Sequence, residues 1–176
     1  MKRNNDTDTP DFFDDPLQKL RHEWKHTIEG EGGDCPVCDK FGKVYRIKLN
    51  QSLALSIKWI SDHGGESGWI DVQKQGPRWM LRSKTYALLS HWGMIEPLAP
   101  RSGVWRVTPT GKAFLAGNIK APVAVYIYDN SVWAVDNENT TYRGCFGVKF
   151  DFNELMSASF NWANVKSSSS RKSDRK

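Results

Sequence analysis

Residues 78–115 read RWMLRSKTYALLSHWGMIEPLAPRSGVWRVTPTGKAFL, and the punctuation of this stretch decides the fold. From Arg78 to Trp92 there is neither Gly nor Pro, and Leu81, Leu88, Leu89 and Trp92 recur at helical intervals. That spacing predicts one continuous helix, closed by Gly93 as its C-terminal cap. Met94-Ile95-Glu96 and Val104-Trp105-Arg106-Val107 are short strand signals. Between them, Pro97-Leu98-Ala99-Pro100-Arg101-Ser102-Gly103 has hairpin chemistry and carries a cation at its tip. Thr108-Pro109 then opens a helix through Leu115, with Gly117 after its end.

Working outward, Asn50 starts a second helical pattern with Leu53, Ile57 and Ile60 on one stripe, stopped by Gly64-Gly65. Gly68-Trp69-Ile70 is a short extended piece, and Asp71 is the N-cap of a brief helix through Gln75, broken by Gly76-Pro77. Nearer the N-terminus, Asp15-Pro16 combines an N-cap with Pro at the first helical position, and Leu17, Leu20, Trp24 and Ile28 follow at helical spacing. Gly30-Glu31-Gly32-Gly33 ends that helix, and residues 34–38 make a tight turn. Residues 43–49 then alternate apolar and basic as a half-exposed strand does. On the C-terminal side, residues 123–128 and 131–135 are strands around an Asp129-Asn130 turn, and a third, less regular strand is expected within 142–150, giving a small antiparallel meander.

The helix, strand, helix, helix, strand, strand order of residues 50–117 resembles that of winged helix-turn-helix proteins. His91-Trp92-Gly93-Met94-Ile95-Glu96 is similar to that family's passage from recognition helix into the first wing strand, and residues 105–115 are similar to its exit from the wing into the next helix. The resemblance implies an α+β fold: a winged helix-turn-helix with an N-terminal zinc-binding helix and knuckle and a small C-terminal β meander. The expected division is a flexible acidic leader over 1–14, a zinc-knuckle-like module over 15–49, and a winged-helix domain over 50–119. A β appendage over 120–165 and a disordered basic tail over 166–176 complete it.

Charge follows the same division. The net charge of the 176 residues is +5. Residues 1–34 hold five Lys and Arg against nine Asp and Glu, whereas residues 35–119 hold twelve against five. A basic middle and a basic tail flanked by acidic segments is a distribution that nucleic-acid binders often show. A helix fits the major groove and reads it from its outer face. With Leu81, Leu88 and Trp92 inward, that face of the 78–92 helix offers Arg82, Ser83, Lys84, Tyr86, Ser90 and His91, with Arg78 at its start. Arg101 at the loop tip and Arg106 on a wing strand are set to reach phosphates or a minor groove. The candidate DNA-binding residues are therefore Arg78, Arg82, Ser83, Lys84, Tyr86, Arg101 and Arg106.

Cys35-Pro36-Val37-Cys38 has the spacing of a zinc knuckle, in which one turn gives two thiolates to a tetrahedral ion. His22 and His26, four apart on the first helix, share a face. His22, His26, Cys35 and Cys38 thus form a candidate ligand set for a structural Zn2+, in the reverse order of a common zinc finger. Surface histidines beside a two-cysteine turn, a redox pair, and a site completed by Cys145 are the alternatives. A redox Cys-x-x-Cys follows a strand and opens a helix, whereas this one precedes a strand. The Cys-Pro-x-Cys turn with Gly-Lys-Val-Tyr-Arg, ahead of the winged-helix pattern, also resembles uncharacterised bacteriophage and prophage proteins.

The composition, 39% apolar and 26% charged, is that of a globular protein, and no apolar run approaches a membrane span. No Gly-rich phosphate loop, Gly-x-Ser-x-Gly elbow or His-Glu-x-x-His occurs. His63, at a helix end, reads as a cap to the last carbonyls rather than a catalytic group. The expectation is a cytoplasmic, non-enzymatic protein that binds double-stranded DNA as a transcriptional regulator or DNA-metabolism accessory. The competing expectations are a protein-binding inhibitor or adaptor and, with Tyr126, Tyr128 and Trp133 facing outward, single-strand stacking. Of the eight Trp, Trp59, Trp79 and Trp162 fall off the predicted apolar stripes and are the candidates for partner contact.

Overall fold

The computed structural model describes residues 15–148, 150–157, 160–162 and 165; the expected leader, 1–14, and tail, 166–176, lie outside the described residues. The fold is mixed α+β. In chain order the elements are α1 (Pro16–Glu29), β1 (Gly33–Asp34), β2 (Phe41–Gly42), β3 (Tyr45–Lys48), α2 (Gln51–His63), β4 (Ile70–Asp71), α3 (Val72–Gln75) and α4 (Arg78–Ser83). A 3-10 segment, Thr85–Trp92, precedes β5 (Ile95–Pro97), β6 (Val104–Val107), α5 (Pro109–Leu115), β7 (Ala121–Pro122), β8 (Ala124–Tyr128), β9 (Ser131–Val135), β10 (Asn139–Thr140) and α6 (Phe152–Met156). The described residues 15–46 together with Tyr126–Trp133 form one compact unit, and Ile47–Val125 with the described residues from 134 onward form the other. The stretch 120–165 expected as one appendage contributes residues to both, and its strands β8 and β9 share a sheet with β3 in the order β3-β8-β9.

In the first unit the Asp15 carboxylate accepts the Leu17 N–H at 2.9 Å and Pro16 stands in the first turn, as the local chemistry of α1 requires. β1 and β2 pair antiparallel, Gly33 opposite Gly42 and Asp34 opposite Phe41. Gly42 is buried, and a Cβ there would come within 2.6 Å of the Trp24 ring, so its lack of a side chain is what lets α1 seat on the hairpin. The other hairpin of the unit turns at Asp129 and Asn130, whose φ values of 47° and 58° are those of a tight two-residue turn.

The second unit is built around α2. Asn50 accepts the Leu53 N–H at 3.1 Å as its cap, and Leu53, Ala54, Leu55, Ile57, Trp59 and Ile60 are all buried, so the helix is covered on most of its circumference. Met80, Leu89, Ile95, Val107, Phe114, Tyr142 and Leu155 complete the core. Beside it lies a three-stranded sheet in the order β4-β6-β5. β5 pairs antiparallel with β6 (Ile95 opposite Val107, Pro97 opposite Trp105), and β4 pairs antiparallel with the other edge of β6 (Ile70 opposite Trp105). α5 begins as its sequence predicts: Thr108 Oγ1 accepts the Gly111 N–H at 3.1 Å and donates to the Gly93 carbonyl at 2.6 Å.

Two expectations fail here. Residues 78–92 are not one helix: α4 ends at Ser83, Lys84 is left-handed at φ 52°, and the chain continues as a 3-10 segment. Ser83 Oγ donates to the Met80 carbonyl and Thr85 Oγ1 to Ser83 Oγ, hydroxyl bonds that compete with the helical ladder at that point. Nor is there a third meander strand among the described residues of 142–150; Arg143–Cys145 is a 3-10 turn. Tyr142 and Phe146 instead join an aromatic cluster, Tyr142 meeting Phe114, Phe146 and Phe152 edge-on at 5.3–5.8 Å. Phe114 and Tyr142 are 0% and 1% exposed, so burying these two rings outweighs what a short edge strand offers.

Candidate nucleic-acid interface and cysteine turn

The helical break decides which side chains of residues 78–92 face outward. In a 3-10 segment residues three apart eclipse. Tyr86 and Leu89 are accordingly both buried, and Trp92, half-buried, donates its indole N–H to the Pro122 carbonyl at 2.9 Å. Tyr86, expected as an outward hydroxyl, is 6% exposed and packs edge-on against Trp105 at 5.8 Å, and burial pushes its phenol above its ordinary range. It is removed from the candidate set. His91 is half-buried, and burial holds its imidazole below the usual range, towards the neutral form.

Arg78, Arg82, Ser83 and Lys84 are exposed on α4 and at its left-handed end. Arg101 is exposed in the β5–β6 loop at φ 62°. Among the described residues none of these four cations stands within ion-pairing distance of a carboxylate. Other cations of the same unit are engaged. Lys58 binds Asp62 at 2.6 Å and Lys74 binds Asp71 at 3.2 Å. Arg106, though exposed, donates to Glu96 at 2.5 Å and lies over the Trp69 ring at 4.4 Å. Arg106 is therefore an internally satisfied group, unlike the other candidates, because its strand neighbour Glu96 stands directly opposite it in the register.

The three Trp singled out for partners turn inward. Trp59 and Trp79 are buried, Trp79 with an indole N–H that finds no acceptor among the described residues, and Trp162 packs against the core. His63 stacks on Trp59 at 4.5 Å and its Nδ1 donates to the Trp59 carbonyl at 2.9 Å, the capping role expected of it.

In the first unit, Cys35 and Cys38 occupy one turn, closed by Cys35 N–H to the Lys40 carbonyl and Asp39 N–H to the Cys35 carbonyl, both 2.9 Å, with Asp39 left-handed at φ 56°. The backbone N–H groups of Val37 and Cys38 donate to the Cys35 sulfur, and with the Cys38 thiol they hold the Cys35 thiol below its ordinary range against burial and the Asp39 charge. N–H groups aimed at sulfur favour thiolate, the form that binds metals. The turn opens on a cavity of about 400 Å³ lined also by Trp24, Phe41, Lys43 and Tyr45. Phe41 and Tyr45 were not singled out from sequence; the alternation of residues 43–49 was the available signal for Tyr45.

His22 and His26 do come together, their rings edge-on at 4.5 Å. Among the described residues, however, no three His, Cys, Asp or Glu side chains gather, so the two pairs are not united into a four-ligand set. Cys145 belongs to the second unit, where it is half-buried, donates to the Thr141 carbonyl at 3.5 Å, and has its thiol pushed up to about 11 by burial. Among the described residues no helix is long and apolar enough to cross a membrane. The chain matches no protein-family profile, no curated protein and no solved structure.

Proposed function

We propose that the second unit is a winged helix-turn-helix that binds double-stranded DNA without chemistry of its own. What carries the reading is the succession α2, β4, α3, α4 with its 3-10 continuation, β5 and β6, in which β4 and β5 flank β6. This succession and sheet support the winged-helix reading, in which residues 98–103 are taken as the wing. Arg78 and Arg82 of α4, Lys84 at its end and Arg101 in the β5–β6 loop, exposed and without a carboxylate partner among the described residues, support a phosphate-contacting surface. A six-residue α4 ending at a left-handed Lys84 is shorter than a groove-reading helix, so contact rests on phosphates more than on base edges. Cys35 and Cys38 of the first unit are read, within the same proposal, as ligands of a structural zinc ion.

Titration of a labelled duplex over a range of salt tests the DNA reading. Four phosphate contacts give a slope of log affinity on log salt of roughly −3.6, at about −0.9 per contact. Arg82→Ala and Lys84→Ala should each make the slope shallower by about 0.9 and weaken all sequences alike. Affinity no tighter than about 10⁻⁴ M at low salt, the weak end of non-specific binding, overturns the reading. So does wild-type affinity in both variants.

A further inference from the structure

We infer that Cys35 and Cys38 from two copies of the chain jointly bind one zinc ion, so that the metal joins a homodimer. The inference rests on the zinc reading above and names the ligands it leaves open. The Cys35–Cys38 turn is a preformed half-site: its backbone is closed by two hydrogen bonds of 2.9 Å, both cysteines are free thiols, and both line one cavity. Structural zinc takes four ligands in a tetrahedron. No third His, Cys, Asp or Glu joins the pair among the described residues, and His22 and His26 are instead engaged with each other.

The turn is also shaped to be met from outside. Pro36, Val37 and Cys38 are exposed, Val37 by 79%, and the flanking Phe41 and Tyr45 are exposed by 61% and 55%. A second copy related by a two-fold axis brings the two missing thiolates and sets the same apolar rim against its counterpart, a self-complementary arrangement. Four thiolates around Zn2+ carry a net charge of −2, and Lys40 of each copy, lining the same cavity, is placed to offset it, while Lys43 is paired with Glu31 at 3.6 Å. A different kind of partner would have to supply both thiolates and a matching apolar surface, which a second copy does by symmetry.

The test is light scattering on the eluting full-length, untagged chain, together with metal analysis. The expected result is twice the chain mass with one zinc per two chains, and a halved mass after chelation. Cys38→Ser should give the same halved mass with an unchanged circular dichroism spectrum; should that variant fail to fold, chelation of the wild type reads the same quantity. His22→Ala combined with His26→Ala should keep both zinc and dimer, and cobalt(II) in place of zinc should give the absorption of an all-sulfur tetrahedral site. One zinc per monomeric chain, lost in the double His variant, leaves the zinc reading standing and overturns the bridge. A dimer that survives chelation overturns the bridge as well. A chain that takes up no zinc ends both, and the salt titration of DNA binding is decided independently.

Discussion

Lys84 holds a conformation that costs an L side chain about 1–2 kcal/mol relative to Gly. Its exposed side chain makes no ion pair among the described residues to offset that cost. Lys84→Gly should therefore raise stability by about 0.5–1 kcal/mol in urea denaturation while weakening duplex binding, which separates the backbone role of the residue from its charge. Tyr142 is the opposite case, a buried group whose hydroxyl donates to the Ala54 carbonyl at 3.2 Å and whose phenol burial pushes well above its ordinary range. Tyr142→Phe should cost about 1 kcal/mol. Because Tyr142 and Cys145 both hold their protons more tightly when folded, their contribution is fully present below the unfolded values, about 10 and about 9, and is lost as pH rises beyond them. For Cys145 the loss runs up to about 11. Denaturation midpoints should fall over this alkaline range, and the lower part of the fall should flatten in Cys145→Ala; a pH-independent midpoint would remove the claim. Caps at this scale were legible, since Asp15, Asn50, Asp71 and Thr108 each bond a backbone N–H two or three residues away. The orientation of Tyr86 was not, because it depends on the phase shift that Lys84 introduces.

Among the elements, α5 shows how closely backbones approach. A Cβ at Gly111 would sit 2.2 Å from the Met94 carbonyl oxygen and 2.7 Å from Val107 Cγ1. Gly111→Ala should accordingly destabilise by about 1–3 kcal/mol despite the better helix propensity of Ala, and a thermal melt as high as wild type would contradict it. Thr108→Ala, which removes the α5 cap and the bond to the Gly93 carbonyl, should cost about 1–2 kcal/mol by the same measurement. Helices α1, α2, α3 and α5 and strands β4, β5 and β6 were readable from local signals, because caps, Gly breaks and alternation act over a few residues. The break between α4 and the 3-10 segment carried weaker signals, the hydroxyls of Ser83 and Thr85, within a stretch free of Gly and Pro. The candidate cations were readable as residues, whereas the Glu96 and Trp69 contacts that occupy Arg106 arise only once β5 and β4 flank β6.

For the whole molecule, the decisive pairing was the least readable, since β3 and β8 are neighbours in one sheet although α2 through β7 intervene between them. Among the described residues of the first unit Ile28 and Ile127 are the buried aliphatic side chains, so the zinc ion proposed for it would contribute a large share of its stability. Chelation should speed backbone hydrogen exchange in α1 and the Cys35–Cys38 turn while leaving α2 and β6 protected, as exchange followed by mass spectrometry would record. Equal loss of protection in both units would contradict this. The discontinuous make-up of the units also sets a schedule during synthesis. Arg46 leaves the ribosome 79 residues ahead of Val125, so at about 5–20 residues per second the N-terminal part waits roughly 4–16 s for Tyr126–Trp133. The second unit likewise awaits Tyr142 and Leu155 to close its core. Its core therefore stays open until Leu155 has emerged, and until then the apolar side chains of α2 that the core buries, Leu53, Leu55, Ile57, Trp59 and Ile60, lack part of their cover.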